Sequence, residues 1–321
     1  MRYAKKLQIG FLIIALISAP LVCHGKMVLG LDKTFIETFK DKATITTHFH
    51  IDAVPAHANP HPIGDGSDDG DIHMAGRDSV IRLPLVAEII NARKENPSLT
   101  FLKNLVDNGE FGKEVDLTGV WRIWFEHLSS TPQLQNGNFP VPNDSGMAHA
   151  FELHPVTMFG AFDVHDSFVP IESPTKKFQG KDAHEAFNGE YDTLTADITT
   201  KGDQVEITSS RGTLNYANFI MKLAAKPVSV GDGSIVSAKV FAVGDEDAPV
   251  LSRNVRMVFV KGTPPAEKLK SLAKGDSIHV MGVPRVNLHA VSLIVNKLAP
   301  NEAWHGPLPY EMIIVAVFPA E

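Results

Sequence analysis

One recurring pattern limits what this chain can fold into. A run of β-type segments leads to a short helix, a glycine stop, and a strand that carries Gly-Val-x-Arg. The first copy is Gly119-Val120-Trp121-Arg122 and the second is Gly282-Val283-Pro284-Arg285. Ahead of the first copy, 43–54 alternates and is rich in β-branched residues, so it reads as a strand. Stretches 71–76 and 81–90 read as the second and third strands. In 97–109, Ser98 can cap, Leu99, Leu102, Leu105 and Val106 fall at helical spacing, and Gly109 can end the helix. Strands at 114–127 and 148–159 follow, joined by a loop at 128–147 rich in Pro, Asn and Gly. A polar linker covers 173–190, with one short helix expected at 181–187. Beyond it, strands are expected near 192–199, 203–208, 218–226, 234–243 and 254–261. Pro264 and Pro265 open a helix that Gly275 can stop, and strands are expected at 277–288 and 290–296. The run 311–318 reads as a closing strand, either on the second unit or packed back on the first.

Three strands, a helix and two more strands is the order of the OB-fold, a small Greek-key barrel. Because the two copies match in context as well as in letters, the expected architecture is mainly β with few short helices. It would hold two OB-like five-stranded barrels in tandem, over 26–172 and 191–321.

Residues 1–25 stand apart. Arg2, Lys5 and Lys6 precede an apolar run at 9–19 and then small residues, the order of a secretory signal peptide with cleavage after Gly25. The run is short for a membrane span, and no later segment is long and apolar enough. The mature chain is therefore expected to be exported, periplasmic or extracellular. Cleavage removes Cys23, the single cysteine of the 321 residues, so the core alone must hold the protein together. Taking three positive charges (Arg2, Lys5, Lys6) from a net charge of −7 leaves −10. Such a balance disfavours long nucleic acid, whose affinity rests on Lys and Arg. A short oligonucleotide, an oligosaccharide or an envelope protein remains open as partner.

Histidine is the anomaly, with 14 in the chain and most of them before the linker. Pairing of strands four and five brings Glu126 and His127 near His149, and alternation puts Glu152 with His154 and Asp71 with His73. One barrel mouth is thus expected to gather Asp71, His73, Glu126, His127, Glu152 and His154, a ligand set for a divalent cation, Ca²⁺ or Zn²⁺. No HExxH and no cysteine pair is present. Loop 57–71 adds hard oxygens at Asp65, Asp68, Asp69 and Asp71, without the bidentate Glu of an EF-hand, and otherwise reads as a solvated loop. On strand four, Arg122 and Trp124 share a face and are expected to form an exposed stacking platform, with Arg82 at the edge of the same groove. A nucleophile elbow, a phosphate loop and a dinucleotide fingerprint are all lacking.

Asp69-Gly70-Asp71 followed by Arg82-Leu83-Pro84-Leu85-Val86 resembles staphylococcal-nuclease-like domains, which are OB-folds. The resemblance covers only the stretch from Asp69 to Ile90. It implies a Ca²⁺-binding role for Asp71 and a phosphate-gripping role for Arg82. The family's second metal-binding Asp would fall just after Val86, where Ala87 stands, and its water-activating Glu near Ile90, with Glu88 the only acid nearby. The catalytic set is incomplete, so a binding or assembly module is the expected function. A metal-dependent phosphodiesterase using Asp71, Glu88, Glu152 and the histidines is the alternative. More widely, 118–127 with 148–156, and 256–265 with 282–288, resemble secreted bacterial proteins with OB-like barrels and no assigned activity. The run Glu152-Leu153-His154-Pro155-Val156 is the most specific mark of that likeness.

Overall fold

The computed structural model describes residues 25–54, 69–92, 96–108, 111–144, 146–172, 177–299 and 302–319. The leader up to residue 24 and the acidic loop at 57–68 lie outside the described residues. Among the described residues no helix is long and apolar enough to cross a membrane.

The first ring consists of β1 (Thr44–Ala53), β2 (Ile72–Asp78), β3 (Leu85–Ile89), β4 (Lys113–His127) and β5 (His149–Phe159). Neighbours pair antiparallel around β3-β2-β1-β4-β5, and a parallel β3–β5 pairing closes the barrel. Helix Asn96–Asn108 sits between β3 and β4, where the spacing of its leucines predicts it. Alternation sends Phe49, Ile51, Met74, Leu85, Ala87, Leu117, Ile123 and Leu153 into one buried core. Gly76 lies on the same side of β2, where a Cβ would come within 2.7 Å of the Phe49 ring. Filling the barrel with Phe49 therefore requires glycine there.

A second ring repeats this connectivity with β6 (Ala217–Leu223), β7 (Gly233–Phe241), β8 (Val255–Val260), β9 (Ser277–Val286) and β10 (Tyr310–Val317). Its parallel pair is β8–β10, and helix Pro264–Leu269 fills the position between β8 and β9. The closing strand thus belongs to the second ring, paired with β9 and β8.

Other expectations are corrected. The strands expected near 192–199 and 203–208 are Thr195–Lys201 and Gln204–Ser210, and they join neither ring. They pair with each other, with Lys26–Asp32 and with Ala303–Pro307 in a separate sheet. Alternation along a strand tells which side is buried, not which strand lies beside it. The expected strand at 290–296 is a helix, Leu288–Val295, because the Asn287 side chain caps it by accepting from the Ala290 N–H at 3.0 Å. A short aliphatic run is ambiguous until such a cap is recognised. The short helix of the linker lies slightly later, at His184–Glu190.

The rings are joined by the repeated motif itself. Arg122 on β4 donates from Nε to the Pro284 carbonyl at 3.1 Å, and Arg285 on β9 donates from Nη1 to the Trp121 carbonyl at 3.0 Å. Each arginine thus holds the residue that precedes its counterpart. Val120 and Val283 lie in the apolar seam between the rings. Each arginine is also paired across the sheet with a buried glutamate, Arg122 with Glu152 and Arg285 with Glu311.

Candidate functional site

On the outer face of the first ring, β2, β3 and β5 bring together Asp71, His73, Glu88, Glu152 and His154. Strand pairing places His73 beside Glu88, and it sets Val86 beside Glu152 and Ala87 beside Leu153. The odd-numbered residues of β3 fill the barrel, so Glu88 must face outward with His73 and His154. Outward is not solvent here. Glu88, Glu152 and His154 are buried, and only His73 keeps appreciable exposure, at 24% of its side chain.

The contacts form one network. His73 Nε2 meets the Asp71 carboxylate and lies 3.7 Å from Glu88 Oε2. His154 Nδ1 lies 2.9 Å from Glu88 Oε2 and 3.4 Å from Glu152 Oε2. His154 Nε2 is fixed by the Tyr216 hydroxyl at 2.9 Å, and that hydroxyl also bonds Asp69. Arg122 Nη1 donates to Glu152 and Nη2 donates to the Asn215 amide oxygen at 2.6 Å. Glu152 also meets His149 Nε2 at 3.1 Å.

Electrostatics follows from this packing. Burial opposes a charge on His154, but Glu88 and Glu152 outweigh it and raise its pKa to about 10. Burial opposes His73 likewise, and Glu88 and Asp71 hold it well above the usual imidazole value. Burial would raise the carboxyls of Glu88 and Glu152, yet His154 and His73 pull Glu88, and Arg122 with His149 and His154 pulls Glu152, below the ordinary range. Asp69 moves the other way, well above its usual value, because burial and the adjacent Asp71 both disfavour its charge.

The predicted set is therefore partly assembled. Asp71 and His73 meet Glu88, and Glu152 and His154 meet the same Glu88 from the other side, giving two overlapping ligand triads. Glu126 and His127 stand apart from this core. Glu126 accepts from the Asn215 amide at 3.1 Å and lies 3.7 Å from Arg122. His127 stacks on His149 with ring centroids 4.6 Å apart and forms a third triad with His149 and Glu152. Burial and the neighbouring His149 lower its pKa to about 4. Tyr216 and Asn215 carried no sequence signal for this site, since they come from the second half of the chain.

The exposed platform does not exist. Arg122 is 0% and Trp124 1% exposed. Segment 211–216 crosses over β4. There Arg211 donates to the Glu126 carbonyl at 2.9 Å, Gly212 donates to the Phe125 carbonyl at 3.2 Å, and Tyr191 packs edge-on to Trp124. Alternation showed two faces of β4, and tertiary packing covered both.

Arg82 is exposed, at positive φ in the β2–β3 turn, and donates to the Ser79 carbonyl and to Asn136. The register sets His73 beside Glu88 at one end of that hairpin and Gly76 beside Leu85 toward the other. Asp71 and Arg82 therefore lie at opposite ends of the hairpin. Beside this turn is a cleft of about 580 Å³, built largely by the loop between β4 and β5. Pro84, Leu134, Phe139, Val141 and Met147 give it an apolar lining, with Gln133, Asn138 and Asn143 as polar groups and, among the described residues, no charged side chain.

No protein-family model matches this chain, and no curated protein does.

Proposed function

We propose that this chain is an exported binding module whose first OB-type ring takes an uncharged, extended protein segment in the cleft beside the β4–β5 loop. The observation that carries the reading is the lining of that cleft, which is mainly apolar and, among the described residues, has no charged side chain. The β4–β5 loop is a customary ligand-contacting loop of OB barrels. A phosphodiester ligand would need cations along its track. An oligosaccharide would favour several stacking rings, and Phe139 is the one aromatic ring in the lining among the described residues. Prolines, Val141 and Met147 with a few amides suit aliphatic side chains and a polypeptide backbone. The phosphodiesterase alternative has less support, since Asp71 and Arg82 sit at opposite ends of their hairpin and Arg122 is buried in an ion pair.

The test is selection of random displayed peptides on the purified protein, followed by calorimetry of the enriched sequences. Uncharged, aliphatic or proline-rich peptides are expected. Their binding should vanish in Val141→Asp, a substitution at a side chain that is 59% exposed and so neutral for folding. Enriched peptides that bind the variant equally well would refute the assignment.

A further inference from the structure

The two rings can be compared position by position through their strand registers. Arg122 pairs with Glu152 and Arg285 with Glu311, so Glu152 corresponds to Glu311 and His154 to Ile313. Ala87 pairs with Leu153 and Met257 with Met312, so Glu88 corresponds to Val258. His73 pairs with Glu88 and Ile235 with Val258, so His73 corresponds to Ile235. The arginine–glutamate pair is present in both rings and belongs to the joint between them. The three ionisable residues are peculiar to the first ring. In the second ring the same positions hold Ile235, Val258 and Ile313, all packed into the apolar seam. This architecture therefore closes without His73, Glu88 and His154. Burying ionisable groups where aliphatic ones would serve is costly.

A second observation says what they face. His154 Nδ1 is fully buried and aimed into the cluster without a well-aligned hydrogen bond. It points at two carboxylates, 2.9 Å from Glu88 Oε2 and 3.4 Å from Glu152 Oε2. Ligands about 2.0–2.1 Å from a tetrahedral zinc ion stand about 3.3 Å from one another. Its other ring nitrogen is held by Tyr216, as the second nitrogen of a metal-bound imidazole usually is.

We propose that the outer face of the first ring is a divalent transition-metal site of the zinc class. Glu88 is its central ligand, with His73 and Asp71 on one side and His154 on the other, a set of four, while Glu152 stays with Arg122. Two imidazoles among carboxylates favour zinc-like ions over Ca²⁺ or Mg²⁺, which take oxygen ligands. Arg122 occupies Glu152, so the ion approaches from the partly exposed His73. Tyr216 makes the second half of the chain part of the site.

The full protein, stripped with a chelator, would be titrated with Zn²⁺ by calorimetry and with Co²⁺ by visible absorption. Saturable Zn²⁺ binding with the intense bands of four-coordinate Co²⁺ is expected. Glu88→Gln should abolish both signals, and Tyr216→Phe should weaken affinity by roughly tenfold or more. The pair His48→Ala, His50→Ala, which removes an exposed histidine–carboxylate cluster, should leave binding unchanged. The triple variant His73→Ile, Glu88→Val, His154→Ile installs the second ring's residues and should fold with the wild-type circular dichroism spectrum and bind no metal. No Zn²⁺ binding by the stripped wild type, or wild-type binding by folded Glu88→Gln, overturns the proposal.

Discussion

Replacing Arg285 with methionine tests the joint between the rings. Its guanidinium donates to Glu311 at 2.7 Å and to the carbonyls of Lys42, Ala43 and Trp121 at 3.0, 3.2 and 3.0 Å. It also lies 3.5 Å above the Trp121 ring. Both Arg285 and Glu311 are 0% exposed. Methionine fills similar volume, so the loss is electrostatic rather than a cavity. Removing one member of a buried pair costs about 3–5 kcal/mol, because the other charge is left unmet. Arg256 stays anchored to Asp41 and Lys40 and relieves Glu311 only in part. Arg285→Met should therefore lower the stability measured by urea unfolding by about 4 kcal/mol. The double variant Arg285→Met, Glu311→Met removes the orphan charge and should be more stable than the single variant. The Ala43 and Trp121 carbonyls, which lose the guanidinium at about 1 kcal/mol each, account for its remaining loss. A single variant within about 1 kcal/mol of wild type, or a double variant as unstable as the sum of the two singles, would refute the argument.

Other outcomes follow from the same geometry. His154 has a folded pKa of about 10 against 6.5 for the free side chain, so its contribution is complete below pH 6.5 and is lost as pH rises through 10. The urea midpoint of chelator-treated protein should fall across that window, and His154→Ile should flatten the profile; a flat wild-type profile would sink this reading. His127, with a pKa lowered to about 4, acts in the opposite sense, so its stabilising share declines as pH falls from 6.5 toward 4, and His127→Gln should reduce the acid slope. Gly233→Ala would bring a Cβ to 2.8 Å from the Ala43 Cβ and against the Phe259 carbonyl. Overpacking at such a seam should cost about 1–3 kcal/mol in unfolding, and an unchanged melting curve would count against tight contact there.

The strand–helix order of the first ring was legible because each segment carries its own period, cap or stop, and these act over a few residues, whereas in the second half ring membership was not legible and 290–296 was read as a strand. The repeated Gly-Val-x-Arg was legible as a repeat, but its purpose was not, since each arginine acts on the opposite ring. The candidate site shows the same division. Alternation alone put Asp71 with His73 and Glu152 with His154, and those pairs are adjacent. Glu88 as the hinge between them depends on the register of β3 against both β2 and β5, which no single strand encodes. The reading of Arg122 and Trp124 as exposed failed for a related reason. Period two separates the faces of a strand but does not say that segment 211–216 will cover one of them.

The sequence by itself determined the mainly β character, most of the ring strands and the helix ahead of each Gly-Val-x-Arg strand, because local periodicity and turn chemistry are short-range properties. Only the tertiary structure decided that a separate sheet joins Lys26–Asp32 to Gln204–Ser210, that the second half of the chain seals the charged face, and that Tyr216 reaches His154. Those are contacts between residues far apart in the chain, set by which surfaces exclude water together rather than by any pattern within one segment.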